Sequence, residues 1–264
     1  MFTNTNFLVT GIPRSGTSLL AALLSSWPNT VVFNEPPELS GPQLLRNDPI
    51  MLCNLYLEHM RKKILKGETI ANKYSAKNNS KTEVATDTWT GIVTENRFIA
   101  IDQNLPVNLS AKMTMPFLEH LPALSGNDSN FKVVAMVRNP IDTIASWKKT
   151  FGNLRECAPG KTIPWSKRFI LSTDSDTTLR QIVLWRQLEE VIYESKDNPK
   201  LFIIKLDDLV IHHEEISHKL CDFLNIPRRE WDPGVFRNGK SKSDTLTERD
   251  KTKIKELCLG KIFN

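Results

Sequence analysis

Residues 7–24, FLVTGIPRSGTSLLAALL, restrict the fold more than any other part of the chain. Phe7 to Val9 are apolar and suit a buried strand. Thr10 and Gly11 open a turn-prone loop that runs through Ile12, Pro13, Arg14, Ser15 and Gly16. From Thr17 onward, Leu19, Leu20, Leu23 and Leu24 recur at helix spacing. A strand, a glycine-bounded loop and a helix in that order build an anion cradle. Successive backbone N–H groups and the positive end of the helix dipole converge on one point.

The spacing nearly repeats the P-loop, G-x-x-x-x-G-K-[ST]. Gly11 and Gly16 occupy the glycine positions and Ser18 the hydroxyl position. Thr17 stands where the lysine belongs, and the cation lies inside the loop as Arg14. In nucleoside-triphosphate enzymes that lysine holds the β/γ-phosphates and the hydroxyl serves Mg²⁺. Its loss counts against ordinary ATP chemistry and leaves an anion site intact. A plain strand–turn–helix connection is the alternative.

The formal charge of +5 over 264 residues fits a pocket for a polyanionic small molecule. It is too weak to imply nucleic acid, and basic surface without a role is equally compatible. Hydrophobic residues at 40% and charged residues at 25% are ordinary for a soluble globular protein. The expectation is one α/β domain over 1–264, with insertions at about 36–100 and 152–177. Cys53, Cys157, Cys221 and Cys258 form no C-x-x-C pair and read as free thiols in a reducing compartment. No apolar run reaches membrane-spanning length, and the first strand begins close to Met1. A cytoplasmic location is expected, with a catalytic domain cut free of a Golgi anchor as the alternative.

Further strand signals follow in register with this opening. Residues 30–33 (TVVF) form a second strand, and Glu35 stands just past it. Ligands of open α/β sheets bind at that edge, although Glu35 also reads as a solvated loop carboxylate or a helix-start charge. Residues 42–70 read as helical with interruptions at Pro49 and Gly67, 71–83 as a polar mobile loop, and 83–109 as short mixed pieces. Lys112 ends another strand, or is a surface lysine, ahead of a helix over 117–124. Residues 131–137 (FKVVAMV) are the strongest strand. Arg138, Asn139 and Pro140 end it, and a helix follows with Asn139 as cap and Ser146 two turns on. This duplicates the opening unit; a cap with a surface pair is the other reading. Residues 152–177 read as an irregular lid or substrate loop. A helix over 178–195 places Trp185 in the core, and 201–206 and 214–225 read as strand and helix. His212, His213 and His218 lack metal-site spacing, and no metal ligands are assigned. Thr247 caps a last helix. The architecture expected is a three-layer, doubly wound α/β fold, a parallel sheet of four or five strands with helices on both faces.

Taken together, these segments resemble the sulfotransferases that use 3′-phosphoadenosine 5′-phosphosulfate (PAPS). Residues 11–20 (GIPRSGTSLL) are similar to their 5′-phosphosulfate loop. Residues 133–140 (VVAMVRNP), with Ser146 eight residues beyond Arg138, are similar to their 3′-phosphate segment. LDDLV at 206–210 and FLNIP at 223–227 resemble the family's YEDLV and FLGIP stretches. The resemblance implies sulfuryl transfer from PAPS to an acceptor hydroxyl, on a carbohydrate, glycolipid or other small metabolite, with PAP as product and no metal requirement. It implies that Arg14, Ser15, Gly16, Thr17 and Ser18 hold the 5′-phosphosulfate and that Arg138 and Ser146 hold the 3′-phosphate. Arg237 and Lys240 align loosely with a basic segment that closes over that phosphate. Glu35 falls where tyrosylprotein and related membrane-type enzymes place their base, and Lys112 and Arg14 complete the catalytic set. The cytosolic steroid and phenol enzymes carry a histidine where this chain has Thr114, and the family's tyrosine is Leu206 here. The rival classes are a P-loop-like nucleotide kinase and a non-catalytic nucleotide-binding module.

Overall fold

A computed structural model describes residues 3–75, 92–102, 104–149, 152–158, 166–170, 172–231, 243–258 and 262. The opening segment folds as strand β1 (Asn6–Gly11), a loop and helix α1 (Thr17–Ser25), followed by β2 (Thr30–Asn34). Next come a 3-10 turn (Pro37–Leu39), α2 (Gly41–Arg46), α3 (Pro49–Leu65), β3 (Ile70–Ser75) and β4 (Ile92–Arg97). The chain then forms β5 (Asn108–Lys112), α4 (Met115–Glu119), α5 (Leu121–Leu124), β6 (Lys132–Val137) and α6 (Pro140–Lys149). The remaining elements are α7 (Asn153–Glu156), α8 (Thr177–Glu194), β7 (Leu201–Lys205), α9 (Leu206–Ile211), α10 (His213–Leu224) and α11 (Glu248–Leu257).

Five strands make one parallel sheet in the order β2-β5-β1-β6-β7. Side chains alternate across it, as strand geometry requires. Phe7, Val9, Val32, Val134 and Met136 point to a face covered by α1 and α10 through Leu20, Leu24, Leu220 and Leu224. Leu8, Phe33, Ala111, Val133 and Ala135 point to the other face, against Leu57 of α3, Phe117 of α4, Ile144 of α6 and Trp185 of α8. The sheet is therefore buried on both sides, which explains why its strands read as continuous apolar runs. No helix among the described residues is long and apolar enough to cross a membrane.

Register gathers the functional candidates. Val9 of β1 pairs with Lys112 of β5 on one side and Val134 of β6 on the other, and Asn34 of β2 also pairs with Lys112. β2 and β5 end level with Val9 and Val134, while β1 and β6 run two and three residues further, and the loop after β1, Glu35, Lys112 and Arg138 follow the strands at one edge. Successive connections run to opposite sides of β1, so that edge is the sheet's switch point.

Three local expectations change. Residues 71–75 are not the start of a polar loop, nor is Ile70 the end of a helix: β3 pairs antiparallel with β4 from Ile70↔Arg97 to Ser75↔Ile92, and 76–83 lie outside the described residues. Only Ile70 and Asn72 of its first four residues are buried, so a two-residue period with a polar member escaped a search for apolar runs. The helix expected over 117–124 is two short helices broken at His120, because Pro122 supplies no N–H and suits only a first turn. A further helix, α9, follows β7 without a linker. Arg237 and Lys240 lie outside the described residues.

Candidate active site at the carboxyl edge of the sheet

The loop between β1 and α1 is built for close approach. Gly11 has φ 148°, and a Cβ there would lie 2.3 Å from the Met136 carbonyl oxygen. Gly16, at φ 90°, is the residue preceding α1 and offers no side-chain cap, so the first N–H groups of that nine-residue helix have no such acceptor. Ser15 stiffens the turn: its amide donates to the Ile12 carbonyl at 3.0 Å, and its buried hydroxyl lies 2.9 Å from the Met136 carbonyl. Trp147 Nε1 donates to the Pro13 carbonyl at 2.8 Å, fixing the loop against α6. Thr17 and Ser18 occupy the first two helical positions, where an anion would meet the positive end of the helix.

Arg14 has a left-handed backbone, φ 72°, and its Nε donates to Ser146 Oγ at 3.1 Å. The two strand–turn–helix units, separate in sequence, therefore touch. Arg138 is only 16% exposed and reaches Asp142 Oδ2 at 3.4 Å with one terminal nitrogen. Its Nε is buried with no hydrogen-bond partner among the described residues. Asn139 caps α6 as expected, its Oδ1 accepting from the Asp142 amide at 2.9 Å.

Glu35 also has a left-handed backbone, φ 54°, and its amide donates to the Lys112 carbonyl at 2.8 Å. Lys112 Nζ meets Glu35 Oε1 at 2.7 Å and lies 3.4 Å from Ser18 Oγ. Lys73 Nζ, from the β3–β4 hairpin, meets Oε2 at 3.0 Å. Burial alone would raise the Glu35 pKa, but the two ammonium groups reverse this and hold it at about 2. Burial pushes the Lys112 pKa down from its ordinary value, with Glu35 opposing the shift. Thr114, at the position of the cytosolic branch's histidine, brings no titratable group; its carbonyl accepts from Thr10 Oγ1 at 3.0 Å.

Glu35, Lys112, Arg14, Thr17, Ser18, Arg138 and Ser146 therefore all belong to one edge, as the sequence led one to expect. Sequence reasoning missed Lys73 and its neighbour Asn72. Alternation at Ile70 and Asn72 could have marked the strand, but nothing local couples Lys73 to Glu35. On the surface, Glu214, His218 and Glu230 bring ligand atoms within 4.8 Å of one another. They are the only such group among the described residues, and no other element of the site involves them. All four cysteines are buried and unpaired with one another.

The pattern of the Sulfotransferase family matches residues 6–233. No curated protein matches the sequence. Among solved structures, the sulfotransferase domain from the curacin biosynthetic pathway is 14% identical, covering 93% of this chain and 83% of its own, with a TM-score of 0.46. A sulfotransferase from Alicyclobacillus acidocaldarius is 14% identical over 97% of this chain and 95% of its own, at 0.46. A mouse sulfotransferase solved with PAP is 11% identical over 97% and 84%, at 0.44.

Proposed function

The chain belongs to the sulfotransferase family, and on that basis we propose that it moves a sulfuryl group from PAPS to the hydroxyl of a small-molecule or glycan acceptor. The observation that supports the donor is the contact of the two anion units through Arg14 and Ser146, beside the buried, unpartnered Nε of Arg138. A donor with phosphate at both ends of its ribose supplies an acceptor to each unit. In this reading the amides of Gly16, Thr17 and Ser18 and the Arg14 side chain hold the 5′-phosphosulfate, with Ser15 shaping the loop. Arg138 and Ser146 hold the 3′-phosphate.

Glu35 accepts the acceptor's hydroxyl proton as that oxygen bonds to sulfur, and the bond from sulfur to the 5′-phosphate oxygen breaks. Negative charge collects on the departing phosphate. Lys112 and Arg14 stabilise it, as fixed donors do in the related phosphoryl transfers. Charge stabilisation by preorganised cations needs no reorganisation at the moment of transfer, which suits a buried lysine such as Lys112.

Thermal-shift and calorimetric titrations of adenosine 3′,5′-bisphosphate, adenosine 5′-phosphate and ATP–Mg test the donor. The bisphosphate alone should stabilise the protein strongly. Arg138→Ala should weaken its binding by about 1.5–3 kcal/mol, the range for hydrogen bonds to charged groups, and leave the 5′-phosphate little changed. Equal affinity for both adenosine nucleotides would overturn the 3′-phosphate assignment, and preference for ATP–Mg would overturn the donor class.

A further inference from the structure

We propose that Lys73, on the β3–β4 hairpin, is a positioning residue for Glu35: it latches the carboxylate from the acceptor's side, and the acceptor hydroxyl takes its place on Oε2. The proposal rests on the reading of Glu35 as the base.

Both carboxylate oxygens are engaged before any acceptor arrives, Oε1 by Lys112 and Oε2 by Lys73. The two lysines differ in freedom. Lys112 closes a central strand, is 2% exposed and has Ser18 Oγ beside it. The Lys73 side chain is 31% exposed and extends from an inserted hairpin. A hydroxyl that approaches Oε2 competes with the Lys73 ammonium for it, and of the two lysines Lys73 is the one with open solvent to move into.

The position of Lys73 is itself set. Asn72 Oδ1 accepts from the Asn34 amide and from the Lys73 amide, each at 2.9 Å, while its Nδ2 donates to the Val32 carbonyl at 3.0 Å. The side-chain amide thus pairs with the free edge of β2 like a strand backbone. It fixes the next residue opposite Glu35. The charged groups facing Glu35 are Lys112 from β5 and Lys73 from β3, with Arg14 acting on Lys112 from the loop.

The latch has a chemical consequence. A carboxylate held by two ammonium groups at a pKa of about 2 is a weak proton acceptor. Departure of Lys73 removes one of the two and makes the carboxylate more basic as the hydroxyl docks, with Lys112 still paired to Oε1. The hydroxyl proton then passes to Oε2 as its oxygen bonds to sulfur.

Carboxyl NMR of protein labelled with ¹³C-glutamate, with the Glu35 signal assigned through Glu35→Gln, reads the latch directly between pH 7 and 3. The wild-type signal should stay flat over most of that range. Lys73→Met and Lys73→Gln should each raise its midpoint by about one pH unit or more, and Lys73→Arg should restore the wild-type curve. Affinity for adenosine 3′,5′-bisphosphate should be the same in all four proteins. An unshifted Glu35 titration in the Met and Gln variants overturns the proposal. A large loss of nucleotide affinity in them also overturns it, by placing Lys73 in the donor site. A wild-type protein indifferent to the nucleotide refutes the donor reading instead, and the titration still decides the Lys73–Glu35 coupling.

Discussion

Backbone conformation at single residues carries much of the site's construction. Arg14 after β1 and Glu35 after β2, a cation and a carboxylate on either side of β5, both occupy the left-handed region that non-glycine residues enter at a cost. Each is held there by neighbours, Arg14 by the Ser146 contact and Glu35 by the Lys112 carbonyl. Glu35→Gln should lower kcat by about 10²–10⁴-fold, the general-base range, while binding of adenosine 3′,5′-bisphosphate persists. Turnover at the wild-type rate would remove Glu35 from the chemistry. The two loop glycines should respond unequally to alanine. At Gly11 the new Cβ meets rigid backbone, Met136 O at 2.3 Å and Met136 N at 2.8 Å. At Gly16 it meets the flexible end of Leu206 at 2.8 Å, which can turn aside. Both also carry the left-handed penalty of about 1 kcal/mol or more. Gly11→Ala should therefore lower the melting temperature well beyond Gly16→Ala; equal losses would contradict the backbone clash.

Among the elements, the β3–β4 hairpin has a role out of proportion to its size. β2 is an edge strand of the parallel sheet, and its outer amides need partners. Asn72 accepts from the Asn34 amide and donates to the Val32 carbonyl from one buried side chain, while Ser25 Oγ accepts from the Val32 amide, so the hairpin both covers the edge and delivers Lys73. Asn72→Ala leaves the buried Asn34 amide without that acceptor and should destabilise the protein by about 1–3 kcal/mol. The midpoint of chemical denaturation measures it, and an unchanged midpoint would mean that water replaces the amide at no cost. The insert before α8 is likewise tied down: the Lys167 and Arg168 amides donate to Glu119 Oε1 at 3.0 and 3.1 Å, and the Ile170 amide to Gln187 Oε1 at 2.9 Å. The stretch expected as a lid or substrate loop, 152–177, thus has anchor points on α4 and α8; residues 159–165 and 171 lie outside the described structure.

For the whole molecule, two depressed carboxylates link stability to acidity. Glu35 is held at about 2 against an ordinary 4.5. Asp250 is also at about 2 against 3.8: burial alone would raise it, but Thr178, Lys148 and Thr247 bond the charged form. Asp250 ties α11 to α6 and α8 and completes a capping box with Thr247. In each case the unfolded chain binds a proton more readily than the folded one. The contribution is complete above the ordinary pKa, near pH 5, and is lost as pH falls toward 2. Both groups are partly solvated, so on the order of 1 kcal/mol each is expected. Urea unfolding at pH 6, 4 and 3 should show this decline, and the Glu35→Gln, Asp250→Asn double variant should flatten it. An equally steep decline in that variant would assign the acid sensitivity to other groups.

Local chemistry was enough to read the five strands of the parallel sheet, the two turns expected to bind anions and the caps of α6 and α11. The short-range period of Phe7 to Leu24, Asn139 before α6 and Thr247 before α11 each act within a few residues. The order of motifs 124 positions apart, Arg14 to Arg138, was equally legible (138 − 14). Tertiary structure alone decided that those two units touch through Arg14 and Ser146, and that Arg138 keeps a buried donor in reserve. It alone showed that a polar stretch after α3 is a strand, since that strand forms by pairing with β4 and by docking Asn72 on the edge of β2 rather than through an apolar run of its own. Lys73 belongs to the same class. A salt bridge to a residue 38 positions away leaves no mark on local sequence, because only the docking of Asn72 on the edge of β2 brings the charges to 3.0 Å.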